Sequence, residues 1–364
     1  MPFSLKRGAW LLVVNAALFV FILALIEVGL RVSQRIQIWT TKPVMGVNVP
    51  GSLPIDDFWG ATPRSVVIHR GSSIPGLAYE MAPNRELRAG DGTLIKTNQF
   101  GMRDYEPAAQ DSDSPCRIVV LGDSYTFGLG VREEEAYPKV LEKLLRQSPE
   151  AAQCQFEVLN FGVVGYSSHD EDLVLKYRAV NFHPRVVMIG YVLNDPELGR
   201  VENLHRYFTK RAWWQHFRLL RLAVEAKDNW DIKRLGGGDY YVYLHAPGRR
   251  EWQSVVDAFS DIRDVTSRRN IKVLVVIFPE LTESFKGKPW KDYPYTKIHR
   301  QVSDLAIRNG FRVVDLLDAF SQYPSRDVVF QAADDHPSVL GHEVAARAIE
   351  KELLAESSYF FGFQ

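Results

Sequence analysis

The chain has 364 residues, 46% of them hydrophobic and 12% aromatic, which excludes a largely disordered protein and allows a core of ordinary size. Forty-four basic residues balance 44 acidic ones. No net positive field exists to hold a polyanion, so nucleic acid is not expected as a partner.

Residues 9–26 read AWLLVVNAALFVFILALI, an apolar run broken only by Asn15. With Val28, Gly29 and Leu30 beyond Glu27, it reaches the length of a membrane-spanning helix. The run is longer than a usual signal-peptide core, and no small-x-small cleavage site follows it, which favours an uncleaved signal-anchor over a cleaved leader. Lys6 and Arg7 precede it and Arg31 and Arg35 follow, so positive charge gives no clean orientation. Residues 1–35 are therefore expected to be a single-pass anchor. With its N-terminus in the cytoplasm, the rest of the chain would be extracytoplasmic, in a periplasm or at the cell surface.

Residues 36–114 read as a linker and an appended segment. Pro43, Pro50, Pro54 and Pro63 mark a stalk or surface-hugging lead-in, and short extended pieces between Leu77 and Asp104 suggest a hairpin. From Cys116 the pattern changes. Apolar runs at 117–122, 156–162, 185–191, 271–278 and 311–316 alternate with helical stretches, the last from about Gly341 to Leu354. Val/Ile-rich runs without polar alternation are what strands covered on both faces look like. Residues 115–364 are thus expected to form a three-layer α/β/α sandwich around a five-stranded parallel sheet. Cys116 and Cys154 each stand just before a predicted strand, and parallel neighbours would bring them within bridging distance. A disulfide and two buried thiols both stay open.

An insertion at about 197–247, rich in Trp, Tyr and Arg, interrupts the alternation. Within it Trp213, Phe217, Leu220 and Val224 share one helical face. That stripe fits a helix packed on its own domain, or a lid or membrane-surface helix with Gly236–Gly238 as hinge.

Chemistry is expected beyond the carboxyl ends of the strands, where open α/β sheets bind ligands. The first strand ends in Gly122-Asp123-Ser124-Tyr125, the second in Asn160-Phe161-Gly162-Val163-Val164-Gly165, and the third in Gly190-Tyr191-Val192-Leu193-Asn194-Asp195. Asp334-Asp335-His336 follows the fifth strand and precedes the last helix. Over about residues 115–355 these four blocks, in this order, resemble the SGNH (GDSL-type) hydrolase superfamily. The resemblance implies a flavodoxin-like sheet and a serine esterase. Ser124 would be the nucleophile and His336 its base, with an oxyanion hole made by the Ser124 and Gly165 N–H groups and the Asn194 amide. The family's acid, three residues before the histidine, falls on Ala333 here. Asp334 is favoured over Asp335 as the orienting carboxylate, because adjacent side chains in an extended loop point apart. A Ser–His dyad supported by a backbone carbonyl stays open. Asp123 and Asp195 are read as loop organisers, and His342 as a packing or capping residue.

The remaining histidines show no metal-like spacing, the cysteines form no CxxC pair, and no dinucleotide or phosphate loop is present. No cofactor or metal is expected. The substrate would be a small-molecule or carbohydrate ester, with O-acyl or O-acetyl groups on a sugar or lipid as the target. The alternatives are a polysaccharide O-acetyltransferase using the same residues, and a non-catalytic cell-envelope binding protein that keeps the fold.

Overall fold

In the computed structural model, residues 3–40, 68–88, 92–108, 115–198, 208–209, 217–282, 285–330 and 335–363 are described. The chain divides into two compact units, Met1–Val47 with Lys210–Gly238, and Asn48–Thr209 with Asp239–Gln364.

The first unit pairs two helices. Phe3–Thr40 is one continuous helix, and within it Trp10–Ser33 is long and apolar enough to cross a membrane, with most of its side chains exposed and Leu23, Glu27 and Leu30 half-buried. The second helix, Arg218–Gly236, has no capping side chain of its own at Phe217. Glu27 supplies the cap. Its carboxylate accepts the N–H groups of Arg218 at 2.8 Å and Leu219 at 2.9 Å, satisfying donors that a helix start leaves unpaired. Phe217, Leu220 and Val224 are exposed, and Trp213 lies outside the described residues.

The second unit opens with two short antiparallel ladders where the sequence suggested one hairpin. β1 (His69–Gly71) pairs with β2 (Tyr79–Met81), and β3 (Glu86–Arg88) with β4 (Leu94–Lys96). The main sheet holds β5 (Pro115–Gly122), β6 (Gln155–Asn160), β7 (Val186–Tyr191), β8 (Lys272–Ile277) and β9 (Arg312–Asp315). All pair in parallel, in the order β6-β5-β7-β8-β9. Ile118–Leu121 and all of β7 are buried, as strands sandwiched between helices require. Helices Tyr137–Gln147 and Val339–Ala355 pack together on one face, and Ser168–Tyr177 packs with Arg250–Ser267 on the other. This is the expected three-layer sandwich.

Because β6 and β7 flank β5, the chain reverses direction across the sheet there. The carboxyl ends of β5 and β7 meet at this switch point, the place where open α/β sheets bind their ligands. Cys116 and Cys154 form a disulfide that joins the start of β5 to the residue before β6. Nearby, the buried Arg117 guanidinium meets Glu157 at 2.6 Å and the Phe182 carbonyl at 2.5 Å, so its charge is compensated inside the core.

Candidate active site

Ser124 opens a short helix, Ser124–Phe127, at the end of β5. Asp123 caps it by accepting the Tyr125 N–H at 2.9 Å. The turn is tight because glycines let neighbouring strands approach it. A Cβ on Gly122 would lie 2.1 Å from Thr126 Oγ1, and one on Gly190 would lie 2.5 Å from the same atom. Asn160, from the end of β6, donates to the Thr126 carbonyl at 2.9 Å and accepts the Gly162 N–H at 2.9 Å. Backbone and side chains thus fix the turn from two neighbouring strands.

His336 reaches this turn from the loop before the last helix. Its Nε2 lies 2.8 Å from Ser124 Oγ. The loop is held by the Phe330 N–H donating to the His336 carbonyl at 2.8 Å and by Tyr125 Oη donating to the Asp335 carbonyl at 2.7 Å. The Tyr125 and His336 ring centroids are 5.2 Å apart. A hydroxyl held against an imidazole nitrogen at this distance can pass its proton to it.

Asp335 Oδ1 stands 3.7 Å from His336 Nδ1, beyond hydrogen-bond length. Asp334 lies outside the described residues. Asn194, at the end of β7, reaches Asp123 Oδ2 through Nδ2 at 3.4 Å, and Ser124 Oγ lies 3.3 Å from the same oxygen. Asp123 is fully buried, and desolvation pushes its carboxyl above the usual range against the opposing Tyr125 N–H and the charge of His336. Gly165 has φ 78°, a left-handed conformation that suits glycine, on a turn anchored by the Val163 N–H to the Gly122 carbonyl at 3.1 Å. The Val164 carbonyl beside it accepts Tyr79 Oη at 2.8 Å.

The Asp195 carbonyl accepts the Ser168 N–H at 3.1 Å, and buried His342 accepts the Tyr137 N–H at Nδ1 at 3.2 Å. His169 is exposed. Among the described residues no cluster of His, Cys, Asp and Glu could hold a metal.

Two supports come from a segment that sequence treated as an appendage. Arg103 is buried and its guanidinium donates to the carbonyls of Phe127 at 2.9 Å, Gly128 at 2.5 Å and Val131 at 2.7 Å. Asp104 accepts the Asn160 N–H at 2.8 Å and pairs with Lys139 at 2.7 Å, while burial raises its pKa to about 6. A charged pair between a proline-rich lead-in and the first strand carried no periodic signal, so neither residue could be placed from sequence.

Residues 120–344, more than half of the chain, match the family model of GDSL-like lipases/acylhydrolases. The chain belongs to that family and is an ester-hydrolysing enzyme. Among solved structures it is similar to the acetylxylan esterase Axe2 from Geobacillus stearothermophilus, at 18% identity and TM-score 0.42, covering 66% of this chain and 94% of that one. It is also similar to a lipase/acylhydrolase from Enterococcus faecalis, at 18% identity and TM-score 0.40, over 66% of this chain and 96% of that one. A third is a putative lipolytic protein of the G-D-S-L family from Desulfitobacterium hafniense DCB-2, at 13% identity and TM-score 0.39, over 65% and 98%. Among curated proteins none matches this chain.

Proposed function

We propose that the protein is a membrane-anchored serine esterase acting outside the cytoplasm, which removes O-acyl groups, acetyl among them, from a carbohydrate or lipid. The observation that carries this reading is the 2.8 Å approach of His336 Nε2 to Ser124 Oγ. Ser124 attacks the ester carbonyl while His336 takes its proton. His336 then gives that proton to the departing alcohol, leaving an acyl group on Ser124. A water, deprotonated by His336, releases the acid and restores the serine. Asp334 orients Nδ1 of His336, and the nearby charge of Asp335 adds to the field that stabilises the imidazolium.

The negative oxygen formed on attack is held by the Ser124 and Gly165 N–H groups and by Asn194 Nδ2. Asn194 is already tethered to the Ser124 turn through Asp123. Each such donor is worth on the order of 10²–10³ in kcat. The apolar helix within Phe3–Thr40 supports the membrane anchor, and the Cys116–Cys154 disulfide agrees with an oxidising compartment. The chain is divided accordingly into an anchor (1–35), a lead-in (36–114) that supplies Arg103 and Asp104, and a hydrolase domain (115–364).

The test is hydrolysis of p-nitrophenyl acetate by the full-length protein in detergent. Ser124→Ala is expected to lower turnover at least about 10³-fold. Equal rates for the two proteins would refute the reading.

A further inference from the structure

The turn after β6 carries Gly165, and the Tyr166 N–H closes it by donating to the Val163 carbonyl at 3.1 Å. Gly165, the third residue of the turn, has φ 78°, whereas Val164 before it has a negative φ. That combination is a type II turn, which differs from type I by a half-rotation of the central peptide. Here the central peptide is Val164–Gly165. It is planar and trans, so its carbonyl and its N–H point in opposite directions. Whatever holds the Val164 carbonyl therefore also aims the Gly165 N–H.

Tyr79, the first residue of β2, holds that carbonyl. Its Oη donates to the Val164 oxygen at 2.8 Å. The bond is answered from the other side, where Tyr166 Oη donates to the Tyr79 carbonyl at 2.8 Å and the two ring centroids lie 5.6 Å apart. Both tyrosines are buried. Burial, and after it the charges of Asp170 and Asp123, keeps the Tyr79 phenol well above its ordinary value, so the hydroxyl remains a donor. The Gly165 N–H is half-buried and has no acceptor among the described residues.

We propose that Tyr79 is a positioning residue for the oxyanion. By gripping the Val164 carbonyl, its hydroxyl locks the turn in the type II form and keeps the Gly165 N–H turned to the oxygen that forms on attack. The proposal rests on the Ser124–His336 reading with Gly165 as a donor, and it adds a residue from the lead-in to that site.

A lock is needed because glycine takes positive and negative φ about equally readily. Gly165 alone does not choose between type II and the flipped turn, in which its N–H would face β2 instead. The first residue of the turn is fixed by the Val163 N–H on the Gly122 carbonyl, and the last by the Tyr166 N–H on the Val163 carbonyl. Neither bond touches the central peptide. The Tyr79 hydroxyl does, and a donor held in one orientation needs no reorganisation when charge develops.

The test is steady-state hydrolysis of p-nitrophenyl acetate by full-length protein in detergent. Inhibition by phenylboronic acid is measured alongside, since its boron takes up a serine oxygen to give a tetrahedral anion. Wild type, Tyr79→Phe, Gly165→Ala and the double variant Tyr79→Phe/Gly165→Ala are compared, with a thermal melt of each. Tyr79→Phe keeps the ring and should lose about tenfold in kcat with KM unchanged, less than the roughly 10²–10³ that follows outright loss of a donor. Its affinity for phenylboronic acid should fall by about the same factor, which a merely structural role would not produce. Alanine is strained at the positive φ of residue 165 and favours the flipped turn, so Gly165→Ala should lose at least about tenfold. On that background Tyr79→Phe should cost nothing further, since its effect passes through the Val164–Gly165 peptide.

Wild-type kcat in Tyr79→Phe overturns the proposal, as does a loss confined to KM or a kcat loss with unchanged phenylboronic acid affinity. A tenfold loss that persists in the double variant overturns it too. If Tyr79→Phe does not melt cooperatively, Gly165→Ala decides. Joint loss of kcat and inhibitor affinity there supports the proposal, and wild-type kcat overturns it. Ser124→Ala is assayed alongside. Turnover in that variant would remove the parent reading together with this one, whereas its loss beside a fully active Tyr79→Phe removes this one alone.

Discussion

Tyr125 Oη donates to the carbonyl oxygen of Asp335 at 2.7 Å, across 210 positions of chain. The residue after Ser124 is thereby tied to the residue before His336. The 2.8 Å spacing between the serine oxygen and the imidazole is set by this bond and by the backbone bond from Phe330 to His336.

Removing the phenolic hydroxyl should loosen that spacing while leaving the ring in place. Tyr125→Phe is expected to lose about 1 kcal/mol of interaction, the usual worth of one hydrogen bond, and to lower kcat about fivefold. Steady-state kinetics with p-nitrophenyl acetate reads the effect. An unchanged kcat would mean that the loop is held by its backbone alone.

The two carboxylates before His336 should separate by magnitude. Asp334→Asn is expected to lower kcat on the order of 10²–10⁴-fold, as loss of an orienting acid does. Asp335 lies 3.7 Å from Nδ1, so Asp335→Asn should lose only about tenfold. A larger loss in Asp335→Asn would exchange the two roles.

His342 makes stability depend on pH. Burial first, and then the charge of Arg103, brings its pKa down to about 3, so the folded protein keeps it neutral. The unfolded chain takes up the proton near pH 6.5. The folded state binds fewer protons between these values, so stability is complete above about 6.5 and is lost as pH falls toward 3, at about 1.4 kcal/mol per unit. Asn at this position keeps an acceptor for the Tyr137 N–H and does not titrate. Urea unfolding at pH 7 and pH 5 should therefore show a loss about 2 kcal/mol smaller in His342→Asn than in wild type. Equal losses in both proteins would count against a neutral buried His342.

Much of the sheet was legible in the sequence because its physics is local. An apolar run such as 117–122 or 185–191, buried on both faces, needs no distant partner to be recognised. The four motif blocks were legible for the same reason, since each sits at a strand exit or a helix start. What escaped were interactions between distant segments. Arg103 serves the carbonyls that follow Ser124, and Glu27 caps a helix that begins near residue 218. In sequence each is one more charged residue in a loop or at the margin of an apolar run. Only the folded chain shows that it is buried, or what it touches.

The central claim is that Ser124 is the reacting hydroxyl and His336 its base. Treating the full-length protein in detergent with a fluorophosphonate and mapping the modified peptide tests this most directly. The account predicts a single adduct on Ser124, formed far more slowly in His336→Ala. An adduct on another serine, or no adduct from protein that still turns over p-nitrophenyl acetate, would contradict it.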